Sequence, residues 1–209
     1  LKRLPVDVLK IDQSFVHDML DDPEDLTIVE GMLGLASAFR REAIAEGVET
    51  VEQGILLLRL GCKVAQGFGI AAPMPPADLP AWLASWTPYP QWAKISALDP
   101  ADRPLLYAGA EHTAWVSAIE AFLHDLRRVS PSLDVTQCRL GAWMAQENLA
   151  TDRRIREVSD IHAELHACGS EIIDCKMSER MTEALERLPH LQHLRDRLMG
   201  ELNVLLQRD

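Results

Sequence analysis

Two histidines stand four residues apart in Ile161-His162-Ala163-Glu164-Leu165-His166. In a helix that spacing puts both imidazoles on one face, about one turn apart, where they can grip a single metal ion. A pair alone is a weak sign, because such pairs are common on helix surfaces and in hydrogen-bonded cores. Two further groups accompany this one: His112 in His112-Thr113-Ala114-Trp115, and Cys138 in Cys138-Arg139-Leu140-Gly141-Ala142-Trp143. Three imidazole nitrogens and one thiolate sulfur make a tetrahedral donor set of the kind zinc prefers. On spacing alone one alternative stays open: three core histidines bonded to backbone or water, beside a small buried cysteine.

A second group of polar residues lies in the first half of the chain. Lys10, Asp12, Glu46, Glu49 and Gln66 each fall at or just after the end of a short apolar run. A charge after a strand is often only a helix cap, and Asp12 and Glu49 are open to that reading. Lys10 and Glu46 interrupt apolar runs at positions expected to be buried. A buried charge needs a partner, and these two are placed to pair across neighbouring strands.

The elements that must carry these groups change character along the chain. Val6–Asp12 reads as a buried strand, and Glu42–Gly47 and Lys63–Gly69 read as a second and a third strand. Between them, Asp22-Pro23 opens a helix with a stripe of Ile28, Met32, Leu35 and Phe39, and Thr50-Val51-Glu52-Gln53 opens another that ends at Gly61. A short helix is expected within Pro73–Trp86. Strands alternating with helices imply parallel pairing, and in an α/β barrel the strands' C-terminal ends carry the chemistry. Residues 89–104 are rich in proline and lack periodicity, as in a linker, with Trp86 and Trp92 available to pack it.

From Leu105 onward the period is helical. One stripe runs through His112, Trp115, Ile119, Phe122 and Leu126. A second helix is expected over Cys138–Glu147. A third opens at Thr151-Asp152, with Ile155, Val158, His162, Leu165, Gly169 and Ile172 on one side. A fourth spans about Glu179–Leu206, with Leu185, Leu188, Leu191, Leu198, Leu202 and Leu205, and Pro189 is expected to kink or split it. Short connections suggest an antiparallel four-helix bundle. Unpaired histidines on such apolar stripes would be costly, and a zinc ion removes that cost by taking their lone pairs. Glu111 and Asp160 are local candidates to accept from the other ring nitrogens.

The fold class expected is therefore α/β plus all-α: βα units over 1–88, a linker over 89–104 and a helical bundle over 105–209. A net charge of −11 in 209 residues argues against general nucleic-acid binding, which needs a basic surface. No apolar run approaches the ~20 residues of a membrane span. The start, Leu1-Lys2-Arg3-Leu4-Pro5, does not read as a signal peptide, and a first residue other than Met suggests a piece of a longer protein. The four dispersed cysteines, Cys62, Cys138, Cys168 and Cys175, read as thiols or ligands rather than a disulfide framework, which fits the cytoplasm.

Two family resemblances follow. Leu9-Lys10-Ile11-Asp12-Gln13-Ser14-Phe15-Val16, Ala45-Glu46-Gly47-Val48-Glu49-Thr50 and Ala65-Gln66-Gly67-Phe68 together resemble the last third of an EAL domain. That family is a modified (β/α)8 barrel that hydrolyses cyclic di-GMP with Mg²⁺ or Mn²⁺. The resemblance implies that Lys10 lies beside the attacking water, Glu46 sits in the two-metal site, Glu49 holds the active-site loop and Gln66 borders the nucleotide. The Glu-Ala-Leu motif, the metal-binding Asn and Glu, and the paired aspartates that bridge the metals are absent from this sequence. Three βα units cannot close a barrel of about 250 residues. An incomplete barrel end is therefore expected, without phosphodiesterase activity of its own. The pattern His-x-x-Trp, Cys-x-Leu-Gly-x-Trp, His-x-x-x-His resembles the chemoreceptor zinc-binding domain. That resemblance implies a cytoplasmic, dimeric, zinc- or oxidant-sensing bundle with His112, Cys138, His162 and His166 as the Zn²⁺ ligands. The leading expectation is a piece of a zinc-regulated cyclic di-GMP phosphodiesterase. The alternative is a non-catalytic signalling or scaffold protein with a degenerate EAL half and a structural zinc site.

Overall fold

The computed structural model describes residues 6–135, 138–145 and 153–206. The chain divides into two compact units, one up to Arg103 and one from Pro104.

In the first unit three parallel strands, β1 (Val8–Ile11), β2 (Glu42–Ala45) and β3 (Val64–Ala65), lie in the order β1-β2-β3. The register pairs Val8 with Glu42, Lys10 with Ile44, and Ile44 with Val64. Helix α1 (Gln13–Asp18) follows β1 directly. Asp12 caps it, its carboxylate accepting from the Ser14 amide at 2.9 Å and hydroxyl at 2.8 Å. Those two bonds hold the Asp12 carboxyl below the usual range. The cap reading of Asp12 is the one observed.

Helix α2 (Pro23–Ala38) opens on the expected Asp22 cap and Pro23, and it packs against β1 and β2. It does so with Leu26, Val29 and Ala36; the expected stripe of Ile28, Leu35 and Phe39 is exposed. Apolar residues surround this helix, so its period admits two stripes, and the sheet selects one. The expected burial of the first strand is also corrected. Only Ile11 is fully buried, and Val8 and Lys10 are exposed. Alternation puts Val8 and Lys10 on one face of β1, and that face is open.

Helix α3 (Val51–Arg59) carries a reciprocal cap between Thr50 and Gln53, and α4 (Leu79–Ser85) follows β3. The proline-rich stretch after α4 lies against α3. The Trp92 indole donates to the Val51 carbonyl at 2.9 Å, and its ring covers Gly54, where a Cβ would stand 2.4 Å from the ring. The Leu98 amide bonds the Arg59 carbonyl, and Arg103 pairs with Glu30 at 2.7 Å.

The second unit is helical: α5 (Pro104–Leu123), α6 (Arg139–Met144), α7 (Arg153–Met177) and α8 (Met181–Leu206). Helix α8 packs along α7 and α5, and α6 packs on α5 and α7. All six expected α7 positions, Ile155 through Ile172, are buried. Two expectations are corrected. Leu126 lies beyond α5 and is 83% exposed, because Asp125 takes a positive φ of 58° and ends the helix. Leu185 is exposed. Of the two outcomes expected at Pro189, the split does not occur, since helix α8 continues through it. The expected start at Thr151-Asp152 and end at Glu147 lie outside the described residues. The C-terminus of α5 is closed by Lys176 of α7, whose ammonium donates to the Phe122 carbonyl, to the Leu123 carbonyl at 3.1 Å and to Asp125 at 2.5 Å.

Close packing of α7 on α5 rests on Gly169. A Cβ there would stand 2.3 Å from Cη2 of Trp115 and 2.9 Å from Cδ1 of Ile119. Gly169→Ala is expected to lower stability by about 1–2 kcal/mol through overpacking, despite the better helix propensity of alanine. Gly200→Ala, where nothing lies within 4 Å, should be neutral or stabilising. Urea midpoints compare the two.

Candidate metal centre

His112 enters the core from the middle of α5. Its Nδ1 lies 2.7 Å from the Ala108 carbonyl one turn back. Only a protonated Nδ1 can bond that acceptor, so the Nε2 lone pair is free. Helix α7 brings His162 and His166 to the same level. The three rings meet edge to face, with centroids 4.7 to 5.5 Å apart. Cys138 caps α6, its Sγ accepting from the Gly141 amide at 3.2 Å and lying 3.2 Å from Nε2 of His162. Cys138 stands at the cap of its helix rather than inside it as expected, and there its sulfur can turn inward.

One donor atom from each of His112, Cys138, His162 and His166 lies within 4.8 Å of all the others. A zinc ion with bonds of about 2.0–2.3 Å draws four donors to within roughly 3.3–3.7 Å of one another. The sulfur–nitrogen pair is already that close. The histidines are 2%, 2% and 6% exposed, and Nε2 of His112 and both ring nitrogens of His166 are buried without a hydrogen-bond partner. Such lone pairs cost stability unless a Lewis acid takes them. Burial pushes His112 down to about 4 and His162 to about 3, with the neighbouring rings adding to the shift, and it lowers His166 as well. The rings are therefore neutral at pH 7, the ligating form. Burial raises the Cys138 thiol, against the pull of the Gly141 amide.

The surroundings fix these groups. The Trp115 ring lies 4.6 Å from that of His166, and its indole donates to the Ser132 carbonyl at 2.8 Å. Glu111, expected as a partner for a ring nitrogen, instead pairs with Arg139 at 3.0 Å. The Arg139 guanidinium also covers the Tyr107 ring at 3.9 Å. The Ala108 carbonyl takes the role expected of Glu111, and among the described residues no hydrogen bond joins Asp160 to a ring.

In the first unit, alternation and register put Lys10, Glu46 and Gln66 on one sheet face, at the strands' C-terminal ends. Lys10 pairs with Glu46 across β1 and β2, as expected, and Gln66 Nε2 donates to the same Glu46 oxygen at 3.0 Å. The Lys10 side chain is 55% exposed, so the pair is not the buried one foreseen. Glu49 is exposed.

Residues 1–73 match the EAL domain, and residues 112–173 match the chemoreceptor zinc-binding domain. The chain carries an EAL domain segment followed by a zinc-binding domain. The EAL segment has curated relatives. The bifunctional diguanylate cyclase/cyclic di-GMP phosphodiesterase MucR of Pseudomonas aeruginosa is 43% identical over 84 residues, 40% of this chain and 12% of the relative. The cyclic di-GMP phosphodiesterase PA2567 of the same organism is 40% identical over 83 residues, 40% of this chain and 14% of the relative. The oxygen sensor protein DosP of Escherichia coli is 36% identical over 88 residues, 42% of this chain and 11% of the relative. The chain thus spans only about an eighth of the length of these relatives. Among the described residues no helix is long and apolar enough to cross a membrane.

One further residue of the first unit holds the loop around Glu49. Gln53 is buried, and its Oε1 accepts from the Glu49 and Thr50 amides at 2.8 and 3.0 Å, while its Nε2 donates to the His17 carbonyl. The Thr-x-x-Gln spacing of a capping box is the sequence signal for it. In the zinc-binding domain Arg139 is the comparable residue, and no sequence pattern points to it.

Proposed function

We propose that this chain is part of a cyclic di-GMP phosphodiesterase whose hydrolysis is governed by a zinc ion held by His112, Cys138, His162 and His166. The observation that carries the zinc reading is the convergence of four donors from α5, α6 and α7, three of whose ring nitrogens are buried and unpartnered. Four protein ligands leave no open position for a substrate, so the site is regulatory rather than catalytic. A zinc-bound cysteine is held as thiolate, the form oxidants attack. Loss of the thiolate or the metal leaves the histidines unpaired, and helix packing responds.

On the EAL side, the family roles are carried over as the resemblance has them. Lys10 stands beside the attacking water, Glu46 takes a catalytic Mg²⁺ or Mn²⁺, Glu49 steadies the active-site loop and Gln66 borders the nucleotide. The Lys10–Glu46–Gln66 cluster at one end of one sheet face supports this grouping. Residues 1–88 are read as the end of a (β/α)8 barrel, 89–104 as the connection and 105–209 as an antiparallel four-helix bundle. The parent is a cytoplasmic homodimer.

Two-metal cleavage needs several anionic ligands around ions ~3.5–4 Å apart, and this face offers one or two. The purified chain is expected to bind one zinc ion in competition with a chelator and to leave cyclic di-GMP intact. Turnover by this chain would overturn the division of roles. Zinc chelation that leaves the parent's hydrolysis unchanged at every cyclic di-GMP concentration would overturn the regulatory reading.

A further inference from the structure

A cavity of about 230 Å³ lies beside the donor cluster, lined by Glu111, His112, Trp115, Ser132, Asp134, Cys138 and His166. Three of the four donors face it, and His162 is not among its lining residues. His112 and His166 line it with buried, unpartnered ring nitrogens. Asp134 and Ser132 stand at its exposed side, and Glu111 lies deeper, tied to Arg139. The cavity has room for several waters. An ion entering there passes carboxylate oxygens first and then nitrogen and sulfur, so hydration water is exchanged in steps rather than shed at once.

We propose that the divalent cation enters and leaves through this cavity, with Asp134 as the carboxylate that takes it transiently on the way to the cluster. The proposal rests on the zinc reading above and adds its route of exchange. A transit residue stabilises the ion between solvent and site. It therefore acts on both rates and leaves the equilibrium nearly untouched, unlike a ligand. Its negative charge also raises the local cation concentration, an effect that salt screens.

The test is stopped-flow zinc transfer to and from the full chain, with Zn²⁺ alone as probe and a fluorescent chelator reporting the free ion. Asp134→Asn is expected to slow association about five- to tenfold, to flatten its salt dependence and to change the equilibrium affinity by no more than about twofold. Ser132→Trp, which narrows the opening from an exposed position, is expected to slow association and release by the same factor. Unchanged rates in both variants overturn the route. An Asp134→Asn chain that loses affinity while keeping its association rate overturns the transit role. If the wild-type chain takes up no zinc, the zinc reading fails and the route fails with it.

Discussion

His162→Leu is expected to weaken zinc binding by about a hundred- to a thousandfold and to stabilise the metal-free domain. Structural zinc sites are worth roughly 10–16 kcal/mol over four ligands, so one ligand carries about 3 kcal/mol. His162 faces Cys138 at 3.2 Å and two other rings at under 5 Å, so a leucine removes a donor from the centre of the set. Without metal the balance reverses. The imidazole is then a polar group at 2% exposure whose Nε2 has only the weakly bonding Cys138 sulfur at 3.2 Å beside it, and burying it costs more than burying a leucine. A variant that merely misfolds cannot show both effects. Chelator competition reads the first and urea unfolding in excess chelator reads the second. A metal-free His162→Leu chain less stable than the metal-free wild type would contradict the reading of that buried ring as a net cost without its metal. In the wild type, zinc at a thousandfold over its Kd is expected to add about 4 kcal/mol by mass action, and the variant at the same zinc concentration should lose about 3 kcal/mol of it.

Acid is expected to unfold the metal-free domain in a defined window. The buried rings bind protons less readily than free histidine: His112 is pushed down to about 4 and His162 to about 3. Below the unfolded value of about 6.5 the unfolded chain therefore holds more protons, and stability falls with pH. The loss starts near pH 6.5, continues towards pH 4 as His112 titrates, and ends as His162 does. Between pH 7 and 5 the two rings together account for about 4 kcal/mol, at 1.36 kcal/mol per unit and per ring. Above pH 6.5 they contribute no slope. Midpoints of urea unfolding at pH 5, 6 and 7 in excess chelator measure this, and His162→Leu should reduce the slope by the share of one ring, with His112 and the likewise lowered His166 supplying the rest. A flat profile over that range would mean that the rings are solvated. Zinc binding itself is expected to depend on the Cys138 proton at neutral pH, because the rings are already neutral and burial holds the thiol up.

The convergence of the histidines was legible because helical spacing is short-range. The placement of His162 and His166 on one face, and of His112 on the stripe with Trp115 and Ile119, follows from 3.6 residues per turn. What the period could not decide was which side of a helix faces inward when both are apolar. Helix α2 buries Leu26, Val29 and Ala36 rather than Ile28, Leu35 and Phe39 because β1 and β2 lie on that side. Nor could local sequence place the end of α5, which is set by the positive φ of Asp125 and by Lys176 reaching across 50 or more residues. The Lys10–Glu46 pairing was legible from strand order. Its exposure was not, since that depends on what covers the sheet. Gln53 was written in a capping pattern, but Arg139 reaches its partner only through tertiary packing.

The tie at Lys176 gives α7 two anchors of different chemistry. Its ammonium grips the end of α5 about ten residues, or roughly 15 Å, beyond His166. That grip needs no metal, and neither does the apolar seam from Ile155 to Ile173. If the cluster holds zinc as proposed, withdrawing the ion would release a lever at one point along its length while the far end stays pinned. A tilt of about 5° about that pin would sweep the histidines through more than an ångström, a small angular travel that leaves the fold intact.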